Sequence, residues 1–242
     1  MKIQACITTY ERADSLQQLL LDLEREGATS VRVYDDCSPR DDYSQCIALI
    51  ERRTWTWQRA PKNHGRAGYP RFIEGIWQDL AKDSAADLYV FLQDDNRLCS
   101  RFFERLLKTW ESIDSSSKAT LMLMTDSRDA IWGATKTKRL GRADRTGWVD
   151  AIYAAPSRTL RDFDFKFPVV APPAATSSGA GFGLTHALRR LGRTMYRANP
   201  SLVVHMGIPS QMHGKEREKH PLRVHNFVDG EARHTQLLRG ER

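Results

Sequence analysis

Two hydrophobic rhythms alternate along the chain. Short, nearly continuous apolar runs at Ile3 to Thr8, Val31-Arg32-Val33-Tyr34, Trp55-Thr56-Trp57-Gln58 and Leu88 to Leu92 read as β-strands. Between them apolar residues recur at helical spacing: Leu16, Leu19, Leu20 and Leu23 form one face, opened by Asp14-Ser15 and stopped by Gly27. Further helices are predicted over Tyr43 to Arg53 and from about Pro70 to Ala81, the second after a break at Asn63-His64-Gly65-Arg66-Ala67-Gly68. Strands alternating with helices predict an α/β fold: a Rossmann-like, mostly parallel sheet flanked by helices, whose strand ends converge on one crevice.

The second half follows a looser pattern. Phe102, Phe103, Leu106, Leu107 and Trp110 predict an amphipathic helix, and Thr120 to Thr125 an apolar strand. Gly147-Trp148-Val149-Asp150-Ala151-Ile152-Tyr153 is a strand candidate with one carboxylate inside it. Pro168 to Ser178, rich in Pro, Ala and Ser, suits a surface-lying active-site segment. A short helix over Leu184 to Leu191 and a late strand, Ser201-Leu202-Val203-Val204-His205, complete the pattern.

Chemistry gathers at the strand ends. The Leu88 run, apolar enough to be buried on both faces, ends in Gln93-Asp94-Asp95-Asn96, and the Val31 run ends in Asp35-Asp36-Cys37-Ser38-Pro39. Carboxylates at the C-terminal ends of such strands face the crevice where open α/β sheets bind ligands. A pair there holds a hard cation with open positions, commonly filled by phosphate oxygens; the competing reading is a solvated acidic turn.

With 242 residues and no Pro/Gly/Ser-rich linker, the chain is expected to form one large domain over 1–212 and a basic C-terminal extension over 213–242. It shows neither a signal-peptide pattern nor about 18 consecutive apolar residues, so a soluble, cytoplasmic protein is expected. Cys6, Cys37, Cys46 and Cys99 lack CxxC spacing and read as reduced thiols. The formal charge of +7 changes the picture more. Lys136, Lys138, Arg139, Arg142 and Arg145 crowd one segment against Asp144 alone, and six of the seven histidines lie from His186 onward. An acidic partner or polyphosphate ligand is implied, although a basic surface also serves solubility.

Five segments, taken in order, carry a resemblance: Ile7-Thr8-Thr9-Tyr10-Glu11-Arg12, Val33-Tyr34-Asp35-Asp36-Cys37-Ser38, Asn63-His64-Gly65, Phe91-Leu92-Gln93-Asp94-Asp95 and Pro200-Ser201-Leu202-Val203-Val204-His205-Met206-Gly207. Over nearly the whole chain they resemble the motifs of family 2-like nucleotide-sugar glycosyltransferases of GT-A fold. The resemblance implies a nucleotide-sugar donor, a UDP-sugar first, with Mn²⁺ or Mg²⁺ to neutralise the departing diphosphate. It implies that Thr8, Thr9 and Arg12 line the nucleotide pocket, that Asp36 holds ribose or base, and that Asp94 contacts ribose or donor sugar. Asp35 is either a nucleotide contact or a turn carboxylate; Asn63 and Arg66 either reach the diphosphate or sugar or belong to a plain loop. Asp95 and His205 are implied as the metal ligands.

The resemblance breaks where a general base is expected. Inverting members place an x-Glu-Asp motif before the late helix, and Ser177-Ser178-Gly179-Ala180-Gly181-Phe182-Gly183-Leu184 stands there instead. Asp150 is then the candidate base, against a reading as a buried structural Asp, with Asp162 and Asp164 behind it and a retaining mechanism open. The Gly-Trp-Val-Asp, Ser-Ser-Gly and Ser-Leu-Val-Val-His segments resemble transferases carried by tailed bacteriophages, some of which act on hydroxymethylated pyrimidines in DNA. DNA is therefore the lead acceptor, with Lys136, Lys138, Arg139, Arg142 and Trp148 as its contacts and the host cytoplasm as the place of action. Two alternatives stay open: an acceptor that is a surface glycan, lipid-linked precursor or protein, and a catalytically inactive nucleic-acid-binding module.

Overall fold

The computed structural model describes residues 1–39, 42–83, 85–125, 138–140, 143–169, 179–206 and 227–238. Strands β1 (Ile3–Thr9), β2 (Val31–Asp35), β3 (Thr56–Arg59) and β4 (Leu88–Gln93) run parallel in the spatial order β3-β2-β1-β4. Beyond β4 the sheet continues through β9 (Tyr153–Pro156), β6 (Lys118–Met122), β10 (Thr194–Ala198), β8 (Ala143–Thr146) and β7 (Lys138–Leu140). β9 is antiparallel to both neighbours, β10 parallel to β6, and β7-β8 an antiparallel edge hairpin. A separate ribbon pairs β5 (Asn96–Leu98) with β11 (Val203–His205).

Alternation along the strands builds two cores. Ala5 and Ile7 of β1 and Leu88, Val90 and Leu92 of β4 pack with α1 (Ala13–Arg25), α2 (Ser44–Arg52) and α4 (Phe102–Glu111) through Leu16, Leu19, Leu49, Phe102 and Leu106. Their neighbours Cys6, Tyr89 and Phe91 face the opposite way. These meet α3 (Gly65–Lys82), α5 (Ser157–Arg161) and α6 (Ala180–Arg190) through Phe72, Ile76, Trp77, Leu160 and Leu184. The chain winds from β1 outward to β2 and β3, then returns to β4 on the other side of β1. The ends of β1 and β4 therefore form a topological switch point, the place where such sheets bind ligands.

Several expectations shift. Helix α3 begins at Gly65 instead of Pro70, because the Asp36 carboxylate, just past the end of β2, accepts the backbone N–H groups of His64 and Gly65 and caps its first turn. Gly147 to Ile152 is a loop between β8 and β9, so Asp150 is not on a strand. Helix α6 starts at Ala180, and β5 and β10 had no counterpart in the sequence pattern. Of 213–242, Phe227 and Leu237 are buried, and helix α7 (Gly230–Leu238) follows a turn whose Asp229 pairs with Arg105. No helix among the described residues is long and apolar enough to cross a membrane.

Candidate active site

The two strand ends at the switch point are tied together by Asp94. Its carboxylate accepts hydrogen bonds from Thr9 Oγ1 (2.9 Å), the Tyr10 backbone N–H (3.2 Å) and Arg12 Nη1 (3.3 Å). The same guanidinium nitrogen also donates to Asp95, whose Oδ2 lies 3.2 Å from His205 Nε2. His205 arrives there through backbone pairing: β11 sets it opposite Asn96, and the Met206 N–H donates to the Asp95 carbonyl. Asn96, fully buried, accepts the Gln93 N–H and closes the turn that presents both aspartates. Burial pushes the Asp94 carboxyl up, the adjacent Asp95 charge adds to this, and Arg12 with the two hydrogen bonds from Thr9 and Tyr10 pulls it back.

Two buried carboxylates thus share one guanidinium. The Asp95 carboxylate and the His205 imidazole meet at 3.2 Å, a donor pair of the kind Mn²⁺ or Mg²⁺ accepts, while no group of three or more His, Cys, Asp or Glu side chains among the described residues is arranged to hold a metal ion.

Asp35 and Asp36, adjacent in sequence, have separate surroundings. Asp35 is 1% exposed and closes its own turn: it accepts the Ser38 N–H and Oγ–H and pairs with Arg59 at 3.4 Å, which is the turn reading. Asp36 faces the loop before α3, accepting from the His64 N–H (3.0 Å), His64 Nδ1 (2.5 Å) and Asn63 Nδ2 (3.1 Å). Ser38 and Tyr43 tie this edge to the β1 loop, since Ser38 Oγ accepts the Glu11 N–H and Tyr43 Oη bonds Thr9, Ser38 and the Arg12 N–H. Arg66 sits in the first turn of α3 and makes no ion pair among the described residues.

Across β1, Thr8 faces the other core. It shares a 3.3 Å hydrogen bond with Tyr69 Oη, whose pKa burial raises to about 12. Thr8, Tyr69, Phe91, Tyr153 and Gly181 wall a crevice that Asp150 also lines. Asp150 is exposed; its Oδ1 accepts the Ala151 N–H at 2.8 Å, and Oδ2 has no protein donor among the described residues. Tyr69 lies within electrostatic reach of both Asp150 and Asp94. Asp162 is instead ion-paired to Arg193 at 2.6 Å, and neither it nor Asp164 lines this crevice.

No protein-family model and no curated protein matches the sequence. Solved structures match it in fold. The crystal structure of S. aureus TarS 1-349 superposes with a TM-score of 0.58 at 15% identity, covering 84% of this chain and 60% of that one. Its complex with UDP-GlcNAc gives 0.55 at 16%, covering 87% and 62%. Glucosyl-3-phosphoglycerate synthase from Mycobacterium tuberculosis, in complex with Mn²⁺ and uridine-diphosphate-glucose, gives 0.54 at 15%, covering 100% of this chain and 80% of that one. The chain therefore spans about 60% of the TarS fragment it matches. This is the GT-A fold.

Within the GT-A frame, Thr9, Arg12, Asp94, Asp95 and His205 come together at one point, Asp36 and Asn63 at a second along the same edge, and Thr8 and Asp150 at a third. Trp148 is 37% exposed on the loop that carries Asp150. Lys138 and Arg139 lie on the edge strand β7, and Lys136 and Arg142 fall outside the described residues. Sequence reasoning missed Ser38, Tyr43 and Tyr69. Their one available signal was a hydroxyl in an otherwise apolar or turn setting, which does not say what it bonds.

Proposed function

We propose that this protein is a metal-dependent glycosyltransferase that moves a sugar from a UDP-sugar to an acceptor hydroxyl. The observation that carries the reading is the convergence of Asp94, Asp95 and His205 at the switch point of a GT-A sheet, with a carboxylate, Asp150, across the crevice. Asp95 and His205 are the residues to hold Mn²⁺ or Mg²⁺, and a bound cation supplies neutralisation of the departing diphosphate. Thr9, Asp94 and Asp36 edge the nucleotide pocket, while Arg12 and Arg66 supply positive charge beside it. Asp150, with one oxygen held and the other open, accepts the proton of the acceptor hydroxyl as that oxygen bonds to the sugar's anomeric carbon and UDP departs. Both neighbours with bound UDP-sugar have the same fold, which supports the donor class.

For the acceptor we favour a hydroxymethylated pyrimidine in DNA, as in transferases of tailed bacteriophages. Strand register sets position 138 of β7 opposite Arg145 of β8, and the sequence of the hairpin is rich in Lys and Arg. That basic hairpin leads directly into the loop with exposed Trp148 and Asp150, so a polyanion on the hairpin reaches the crevice. A second reading is a phosphate-bearing acceptor other than DNA, favoured by a structural neighbour solved in complex with phosphoglyceric acid. The test is incubation with UDP- and GDP-sugars and Mn²⁺ against hydroxymethylated and unmodified DNA, read by nucleoside mass spectrometry. Sugar on the hydroxymethylated base alone supports the DNA reading. UDP release without nucleoside modification moves the weight to the second.

A further inference from the structure

Helix α6 holds the Asp150 loop by three residues one helical turn apart. Thr185 Oγ1 accepts the Val149 N–H at 3.0 Å and reaches back to the Val149 carbonyl at 3.4 Å, with both residues buried. One turn earlier, Gly181 lets the loop lie directly on the helix: a Cβ there would stand 2.7 Å from the Val149 carbonyl oxygen, 3.1 Å from Trp148 Cζ2 and 3.3 Å from Asp150 Cα. One turn later, Arg189 Nη2 donates to the Gly147 carbonyl. The Val149 side chain, fully buried in the core shared with Leu184, pegs the loop between these ties. The spacing 181, 185, 189 puts all three on one helix face.

We infer that Thr185, with Gly181 and Arg189, is a positioning clamp that sets where the Asp150 carboxylate stands in the crevice. The inference rests on the reading of Asp150 as base and adds the residues that aim it. Strand pairing does not fix Asp150, because β8 has ended and β9 has not begun. Its place depends on the Thr185–Val149 hydrogen bonds and on the missing Cβ at Gly181. A base displaced by about 1 Å loses rate, not donor binding.

The test compares Thr185→Val, which keeps shape and removes the hydroxyl, with Thr185→Ser, which keeps it, and with Gly181→Ala, which pushes on the Val149 carbonyl. Steady-state UDP release is followed with Mn²⁺ and whichever of UDP-glucose and UDP-GlcNAc turns over. Iodide quenching of Trp148, taken as the difference from the Trp148→Phe protein, reports loop position without substrate. Thr185→Val is expected to lower kcat roughly ten- to a hundredfold with KM for the donor within about twofold, Thr185→Ser to stay near the parent, and quenching to rise in Thr185→Val and Gly181→Ala. In an Asp150→Asn background Thr185→Val should cost nothing more. Unchanged quenching in both variants overturns the clamp, as does parental kcat in Thr185→Val, or an equal further loss in the Asp150→Asn background. Parental activity in Asp150→Asn itself sinks the base reading, which is a different outcome from a silent Thr185→Val in an Asp150-dependent enzyme.

Discussion

A single guanidinium can neutralise only one of two buried carboxylates. Arg12 bonds both Asp94 and Asp95, so a divalent cation held by Asp95 and His205 would compete with it for the Asp95 carboxylate. Arg12→Ala should therefore melt earlier than the parent in EDTA, where the acidic pair loses its cation, and gain more from added Mn²⁺. Thermal melting across a Mn²⁺ titration reads both effects, and equal Mn²⁺-induced gains would show that Arg12 and metal do not compete. Asp95→Ala should abolish the Mn²⁺ dependence of UDP binding by calorimetry while leaving the fold intact. Away from the site, Asp79 gives a pH effect of clear sign. Burial raises its carboxyl, but hydrogen bonds from Tyr34 (3.0 Å), Gln58 (2.9 Å) and Arg32 (3.1 Å), with the charge of Arg32, bring it below the usual aspartate value. A depressed carboxyl stabilises the fold above the unfolded-state pKa near 4 and loses that contribution as pH falls through its folded value. Urea midpoints should thus separate parent from Asp79→Asn at pH 6, and the gap should close progressively as pH falls below the unfolded-state value through the lowered folded one; a constant gap would mean that the carboxylate's charge is not what stabilises there.

At the level of elements, the Asp95–His205 pair depends on a short ribbon that is itself locked to the first helix. Arg97 of β5 donates through Nε (2.7 Å) and Nη2 (3.1 Å) to Asp22 of α1, which also accepts the Leu98 N–H, and both side chains are 1% exposed. Removing one partner strands the other's charge in the core, so Asp22→Ala should cost about 3–5 kcal/mol in urea unfolding. Because β5 carries Asn96, the partner of His205, the same change should weaken Mn²⁺ binding; full affinity at reduced stability would separate the ribbon from the metal site. This ribbon also shows why parts of the fold were not legible. β1, β2, β4 and α1 declare themselves by local period, whereas three-residue β5 has too few positions for a period. β10 contains Arg197, which reads as solvent-facing until Asp144, brought alongside by β8, is in place. The start of α3 was hidden likewise, its capping carboxylate lying 29 residues upstream in sequence at Asp36. The Asp-Asp-Asn turn and the late histidine were visible as motifs. That Asp35 would be spent on Ser38 and Arg59 while its neighbour Asp36 turns to His64 was not, because the two share one local sequence.

Over the whole molecule, charge and chemistry follow one another along the chain: the basic edge hairpin β7-β8 runs into the loop with Trp148 and Asp150, and Asp150 lines the crevice together with Thr8, Phe91 and Leu92 of β1 and β4. The two ends of that stretch are the hairpin and the crevice. If a polyanionic acceptor docks on the hairpin and reacts at Asp150, these two ends carry different free energies. Phosphate contacts supply binding that weakens with salt, and a general base supplies rate. Asp150→Asn should bind hydroxymethylated DNA with parental affinity and turn over roughly 10²–10⁴ times more slowly. Lys138→Ala with Arg139→Ala should keep kcat, raise KM for DNA, and reduce the slope of log KM against log salt by about 1 per lost phosphate contact. The measurement is steady-state transfer to DNA at several salt concentrations, with donor held saturating. A fully active Asp150→Asn protein places the base elsewhere or makes the reaction a retaining one. A double hairpin variant whose KM is unchanged at every salt concentration removes DNA from that edge, and the positive charge must then serve another phosphate-bearing acceptor or the donor diphosphate itself.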